Sequence, residues 1–216
     1  MKKVLGKYRS LLHNKVFIYS VTLSIVYLLA SLVINFYAAT YAYERISNSV
    51  TDIFLSNIRV FNVSFIFIYG PFIMWAFVAV ILLLSPQKIP YAVKSIALFI
   101  LVRSIFITLT HIGPYPTQLN INYNLDIIKM FSTGADLFFS AHTGLPFLMA
   151  LVFWNDKTLR TFFVILAICF GLVVLLAHQH YSIDVLSAFF ITYAISHIAE
   201  NFFKKDRELY YSQQVP

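Results

Sequence analysis

The chain has 216 residues, of which 60% are hydrophobic and 12% are charged, and its formal net charge is +7. Soluble domains carry about a quarter charged residues, so this composition excludes an ordinary soluble protein and indicates an integral membrane protein. Because each transmembrane helix takes about 20 residues, the length leaves no room for a large soluble domain as well. The single cysteine, Cys169, excludes an intrachain disulfide framework.

Six apolar segments predict six transmembrane helices and therefore an all-α, polytopic membrane bundle. In chain order they are residues 16–39, 61–84, 91–112, 137–154, 159–177 and 181–203. The first segment is longer than the apolar part of a signal peptide, so we interpret it as a retained span. We expect a catalytic membrane domain over residues 16–203, between a basic N-terminal segment, 1–15, and a C-terminal tail, 204–216.

The second span contains Gly70-Pro71. Proline has no backbone N–H and cannot donate to the carbonyl group one helical turn before it, so the pair predicts a kink. In a membrane the freed carbonyl oxygen needs another donor, which a neighbouring helix can supply.

The positive charges alternate between the two sides of the predicted bundle. Twelve of the 16 Lys and Arg residues fall on the side of the two termini, and Arg45, Arg59 and Lys129 fall on the other side. The positive-inside rule then predicts cytosolic termini. The basic excess is explained by topology, and a nucleic-acid partner is not expected. The outer loops are residues 40–60 and 113–136.

Ionisable side chains at membrane depth are costly and usually functional. Arg103 lies within the third predicted span, His142 in the fourth, and His180 and Asp184 at the start of the sixth. The predicted topology places both histidines and the aspartate at the outer ends of their helices. We therefore expect them to converge in one cavity that faces the exoplasmic (periplasmic or lumenal) side.

His180 and Asp184 are four residues apart, so they share one helix face. A carboxylate there can accept the Nδ1 proton of the imidazole and leave Nε2 free as a nucleophile or base. With His142 as the complementary acid, the set can perform phosphoryl transfer through a phosphohistidine without a metal. A zinc site that adds His178 is the alternative, but no recognised ligand spacing supports it, and no metal or cofactor is predicted.

Two motifs resemble those of the sphingomyelin synthases, a branch of the type 2 phosphatidic acid phosphatase superfamily. They are Ser140-Ala141-His142-Thr143, similar to SGHT, and His178-Gln179-His180-Tyr181-Ser182-Ile183-Asp184, similar to HxHYTxD. Three further positions are similar to family segments: Asp136 to an acidic position, Arg103 with Thr110 to the third-span motif, and Asp52-Ile53-Phe54 to a Pro-Leu-Pro-Asp segment. Ala141 replaces the motif glycine.

The resemblance implies a role for each residue. His180 is expected to be the nucleophile, Asp184 its orienting partner and His142 the acid and base. The residues expected to bind the substrate or its phosphate are Arg103, Ser140, Thr143, Tyr181 and Asp136, together with the backbone N–H groups where the fourth span begins. For Arg103, a structural pairing with Asp184 or Asp136 is the alternative.

The sequence therefore predicts a membrane-embedded lipid phosphotransferase that is similar to sphingomyelin synthase. A glycerophospholipid is the expected donor, and a lipid hydroxyl, of ceramide or diacylglycerol, or water is the expected acceptor. A phosphatidate-type lipid phosphate phosphatase is the second enzyme hypothesis. The sequence lacks the Lys…Arg-Pro and Ser-Arg elements of those phosphatases, which weakens the phosphatase hypothesis. A non-catalytic lipid-binding or flipping protein is the alternative from another class.

Overall fold

The computed structural model describes residues 2–121 and 137–211, and in these ranges the regular secondary structure is helical. Eight α-helices are present there, and a short 3-10 turn, Pro86–Lys88, joins the third to the fourth. In chain order the helices are α1 (Lys2–Leu12), α2 (Lys15–Glu44), α3 (Ser64–Leu84), α4 (Ile89–Leu109), α5 (Ala141–Val152), α6 (Lys157–Leu176), α7 (Ser182–Phe202) and α8 (Lys204–Tyr211).

Five of these helices are long and apolar enough to cross a membrane, which confirms a polytopic helical membrane protein. They are α2, α3, α4 with its preceding turn, α6 and α7. The predicted fourth span differs, because α5 has 12 residues and is only about 18 Å long, less than the hydrocarbon thickness. The chain from Leu137 to Ser140 is not helical, and Phe139 has a positive φ of 36°.

The non-helical segment before α5 lies inside the protein. Leu137, Phe139 and Ser140 are all buried, and irregular backbone at membrane depth is tolerated where protein surrounds it. The Phe139 ring packs edge-on against Phe99 of α4, with 5.2 Å between the ring centroids. This packing explains why the segment predicted as the first turn of a span is not helical.

Loop hydrogen bonds join one end of the bundle. This end contains the C-termini of α2, α4 and α6 and the N-termini of α3, α5 and α7. Two backbone N–H groups of the loop between α2 and α3 donate across this end, Ser47 to the His111 carbonyl and Phe61 to the Leu176 carbonyl. In the loop after α4, the Leu119 N–H donates to the Ala177 carbonyl. All candidate catalytic residues belong to this end, which we call the loop end.

The opposite end contains a buried polar cluster. Lys94 of α4 forms an ion pair with Asp206 of α8, with 2.6 Å between Nζ and Oδ2, and donates to the Ser20 hydroxyl of α2 at 2.8 Å. Ser20 also donates to Asp206. The predicted tail thus includes a helix that packs against the bundle, where the Tyr210 ring meets Tyr91 edge-on.

Candidate active site

His178, two residues before His180, occupies the left-handed position after the end of α6, which is usually taken by glycine. His178 has a φ of 53°, and the N–H groups of His178 and Gln179 donate to the carbonyls of Leu175 and Val174. This pair of bonds defines a Schellman motif, which ends α6 and reverses the chain. The His178 ring is buried, and its Nδ1 lies 2.7 Å from the Thr117 hydroxyl oxygen.

The ring of His180 is oriented by a backbone carbonyl. Its Nδ1 lies 2.8 Å from the Leu137 carbonyl oxygen, and a carbonyl can only accept, so Nδ1 carries the proton and Nε2 the lone pair. The predicted acceptor, Asp184, is farther away, with 3.5 Å between Nδ1 of His180 and Oδ2 of Asp184. The hydrogen bond that sets the tautomer therefore differs from the sequence prediction, because the non-helical segment before α5 reaches the ring.

Asp184 occupies the first turn of α7 and is completely buried. Its Oδ2 accepts the backbone N–H of Tyr181 at 2.9 Å, whereas Oδ1 has no hydrogen-bond partner among the described residues. A buried carboxylate with an unpaired oxygen is costly unless a positive charge lies close by. His180, whose Nδ1 lies 3.5 Å from Oδ2, supplies such a charge when its ring becomes cationic.

The segment before α5 also connects Arg103 and Ser140 to this turn. Arg103 of α4 is buried, and its Nε donates to the Phe139 carbonyl at 3.2 Å. The backbone N–H of Ser140 donates to the Asp184 carbonyl at 3.1 Å. The structure thus brings Arg103, Ser140, His180 and Asp184 together around one short segment. Asp136 lies outside the described residues.

The N-terminus of α5 has no side-chain cap from its N-cap residue, whereas that of α7 donates hydrogen bonds to a carboxylate. Ser140 is the N-cap of α5, but its side chain makes no capping bond. The buried hydroxyl oxygens of Ser140 and Thr143 have no hydrogen-bond partner within the described ranges. Helix N-termini attract anions through unpaired N–H groups and the helix dipole. The α5 N-terminus is therefore the better phosphate site of the two.

Asp52 occupies the N-terminus of α7. Its Oδ2 accepts the backbone N–H and the hydroxyl proton of Ser182, at 2.7 and 2.8 Å. Its Oδ1 accepts the N–H groups of Phe54 and Leu55. Burial alone raises the pKa of Asp52, but these hydrogen bonds outweigh it and leave the pKa below its usual value. The sequence offered a motif likeness for Asp52 and no role.

Tyr181, expected to bind phosphate, has structural partners instead. Its hydroxyl donates to the Gly113 carbonyl at 2.8 Å and accepts the Val50 N–H at 3.2 Å. Burial raises the pKa of Tyr181, so the hydroxyl keeps its proton at neutral pH. Because that proton is already used, the hydroxyl has none to offer a phosphate oxygen in this arrangement.

His142 lies in the first turn of α5 and faces α3. Its ring stacks on Phe67 with 4.3 Å between centroids, and Nε2 lies 3.2 Å from the Phe67 carbonyl oxygen. Phe67 precedes Pro71 by four residues, so this oxygen is the one that the proline deprives of a helical donor. His142 thus supplies the donor that the sequence predicted from a neighbouring helix.

No three His, Cys, Asp or Glu side chains within residues 2–121 and 137–211 are grouped so that they could hold a metal ion. The described residues supply groups for acid–base and nucleophilic chemistry. They are two imidazoles, one with its lone pair on Nε2, a buried carboxylate, and a helix N-terminus without a side-chain cap.

One comparison with known proteins gave a family match over the C-terminal part of the chain. Residues 133–201 match the family model described as PAP2 superfamily C-terminal. Neither the curated proteins nor the solved structures with which the chain was compared gave a match. The matched region contains His142, His180 and Asp184. Residues 133–201 are therefore similar to the type 2 phosphatidic acid phosphatase superfamily, and this similarity supports a phosphatase or phosphotransferase type of function.

Proposed function

We propose that the protein is a lipid phosphotransferase similar to sphingomyelin synthase. It would move the phospho-head group of a glycerophospholipid through a phosphohistidine to a lipid hydroxyl, of ceramide or diacylglycerol, or to water. The observation that carries the proposal is the contact between His180 Nδ1 and the Leu137 carbonyl. This contact directs the lone pair of the ring to Nε2, the atom that a nucleophile needs.

In the first step Nε2 of His180 attacks the phosphorus of the donor lipid. An N–P bond forms, the P–O bond to diacylglycerol breaks, and the protonated His142 ring gives its Nδ1 proton to the leaving oxygen, because its Nε2 proton is bound by the Phe67 carbonyl. The His180 ring gains positive charge as the N–P bond forms. Asp184 supports this charge, because Oδ2 lies 3.5 Å from Nδ1 and both groups are buried in surroundings of low dielectric constant.

The second step reverses the proton flow. His142 takes the proton of the acceptor hydroxyl, the acceptor oxygen attacks phosphorus, and the N–P bond to His180 breaks. In both steps the phosphoryl oxygens carry negative charge that the protein must stabilise. The proposed donors are the N-terminus of α5, the hydroxyls of Ser140 and Thr143, and the Arg103 guanidinium.

A phosphatidate-type monoesterase is the second candidate, because it shares the covalent step and the superfamily match favours neither branch. It differs in accepting a terminal phosphate and in using water as the acceptor. The proposal from another class is a lipid-binding or flipping protein, which predicts no head-group release above background. The buried Asp184 carboxylate, whose Oδ2 lies 3.5 Å from Nδ1 of His180, favours the catalytic candidates.

We propose that the loop end faces the exoplasmic side and that both termini are cytosolic. The support is the distribution of Lys and Arg, which are concentrated at the end opposite the site. Labelling with an impermeant reagent tests this orientation, with single cysteines introduced into Cys169→Ser protein at two exposed positions, Ile53 in the loop between α2 and α3 and Glu208 in α8. Labelling of Glu208→Cys from outside intact cells would contradict it.

The function is tested with purified protein in liposomes. We expect labelled phosphatidylcholine to give diacylglycerol and, with ceramide present, a phosphosphingolipid, both scored by mass spectrometry. Phosphatidate is supplied separately, and its faster hydrolysis would favour the monoesterase. His180→Ala should abolish turnover in a folded protein. His197→Ala changes an exposed histidine deeper in α7 and is the matched control. Normal turnover by His180→Ala refutes the proposal.

A further inference from the structure

Pro71 lies inside α3 and changes the hydrogen bonding of one particular carbonyl group. In a regular helix the Phe67 oxygen accepts the N–H of residue 71, which proline lacks. An unpaired carbonyl in a membrane helix is costly, so the oxygen needs another donor. The donor is His142 of α5, whose Nε2 lies 3.2 Å away.

This bond selects one arrangement of the His142 ring. Because the Phe67 oxygen can only accept, Nε2 must carry a proton. The plane of the ring is defined separately by stacking on the Phe67 side chain, with an interplanar angle of 25°. One residue of α3 therefore contacts the imidazole twice: its backbone oxygen accepts the Nε2 proton, and its ring stacks on the face of the imidazole.

Gly70 completes the arrangement from the other side. A Cβ atom at Gly70 would lie 2.8 Å from Cε1 of Phe170, so the glycine lets α6 approach α3 closely. Phe170 in turn meets the His142 ring edge-on, with 6.5 Å between centroids. Gly70 thus allows Phe170 to approach the His142 ring. Pro71 leaves the Phe67 carbonyl without its helical donor, so that it can accept the Nε2 proton of His142.

We infer that Pro71 is a positioning residue for His142. By withholding an N–H group from α3, it keeps the Phe67 carbonyl available to the imidazole and holds the ring in one tautomer at the N-terminus of α5. The catalytic consequence rests on the proposed function, because it takes His142 as the acid and base. The effect of Pro71 on the tautomer of the His142 ring does not rest on the proposed function.

Pro71→Ala tests the inference and should not unfold the protein. Alanine restores the N–H group and is a far better helix residue than proline, so the melting midpoint in detergent should stay or rise. The new N–H competes for the Phe67 oxygen and releases the ring. We expect kcat to fall about ten- to hundredfold, the range expected for a misplaced catalytic group, with KM unchanged.

Pro90→Ala is the matched control. Pro90 lies in the first turn of α4 at the opposite end of the bundle, where a missing N–H costs little. It should leave both kcat and KM unchanged. Equal losses in the two variants would show a general effect of removing proline and overturn the inference, as would full activity of Pro71→Ala.

A second measurement does not depend on turnover. In protein with ¹⁵N-labelled histidine rings, His142 is assigned as the signal that is lost in His142→Asn. The wild-type ring should show a protonated Nε2, and Pro71→Ala should shift this signal towards exchange between tautomers. An unchanged His142 signal in Pro71→Ala overturns the inference. If the wild type turns over no lipid, the proposed function fails, and this signal still tests the positioning.

Discussion

The Leu137 carbonyl oxygen accepts the Nδ1 proton of His180 at 2.8 Å, ahead of Asp184 at 3.5 Å. A backbone group therefore holds the tautomer of the proposed nucleophile, and the carboxylate contributes charge. This division differs from catalytic sites in which one aspartate performs both tasks and its loss allows the wrong tautomer. It makes the roles of the two groups separable by substitution.

Asp184→Asn should therefore lower kcat without releasing the His180 ring. The amide oxygen can still accept the Tyr181 N–H, so the fold should remain intact, and the Leu137 carbonyl still holds the Nδ1 proton. We expect a loss of about 10²-fold in kcat from the missing negative charge, smaller than the loss in a triad where the tautomer also changes. Head-group release in liposomes measures it, and a loss equal to that of His180→Ala would contradict the division of roles.

Ser140→Ala separates phosphate binding from folding. The Ser140 hydroxyl is buried without a hydrogen-bond partner in the described part of the chain, so removing it should leave the melting midpoint unchanged or slightly raised. If the hydroxyl binds the phosphoryl group, kcat/KM should fall about tenfold, the value of one hydrogen bond to a charged group. Ser187→Ala, on the partly buried face of α7, is the control. Unchanged kcat/KM would remove Ser140 from the site.

Asp52→Asn should destabilise the protein in a pH-dependent way. At neutral pH the lost charge and acceptor at the α7 N-terminus should cost about 1 kcal/mol, similar to the loss of an N-cap side chain. Because the folded-state pKa of Asp52 lies below its usual value, its contribution is complete above the unfolded-state value of about 3.9. The contribution is lost as the pH falls through the folded-state pKa.

Melting midpoints of the wild type and of Asp52→Asn, measured in detergent from pH 7 to pH 3, test this dependence. We expect the two midpoints to converge at the acidic end of the range. A difference that stays constant across the range would show that the charge of Asp52 contributes nothing to the stability of the fold.

Asp206→Ala should destabilise the opposite end of the bundle strongly. It leaves the Lys94 ammonium buried without its counter-charge, which typically costs about 3–5 kcal/mol. The double variant Lys94→Met/Asp206→Leu removes both charges and should recover most of that loss. Arg207→Ala breaks the exposed pair with Glu200 and should cost less than about 1 kcal/mol. Equal midpoints for Asp206→Ala and Arg207→Ala would contradict the buried pair.

Local patterns predicted much of the fold and part of the site. Composition and apolar runs predicted the spans, because burial in lipid requires long stretches without charge. Pro71 predicted a freed carbonyl, because the missing N–H is a property of one residue. The position of His180 and Asp184 on one helix face followed from their spacing of four. Each of these inferences needs only neighbouring residues.

The remaining parts of the site depend on contacts between distant segments. His180 and Leu137 are 43 residues apart, and Asp52 and Ser182 are 130 apart. The acceptors in the first pair and at Phe67 are backbone carbonyls, which every residue carries and no motif marks. The shortening of α5 likewise follows from the positive φ of Phe139 and its packing on Phe99.

By itself, the sequence determined that this chain is a helical membrane protein, that its second span loses one hydrogen bond, and that two imidazoles and a carboxylate lie near helix ends. Only the tertiary structure decided which acceptors these groups meet. The Leu137 carbonyl orients His180, the Phe67 carbonyl orients His142, and the Asp52 carboxylate binds the N-terminus of α7. The physical reason is that hydropathy and helical spacing act along the chain, whereas a tautomer is selected by whichever acceptor the fold brings within hydrogen-bond distance.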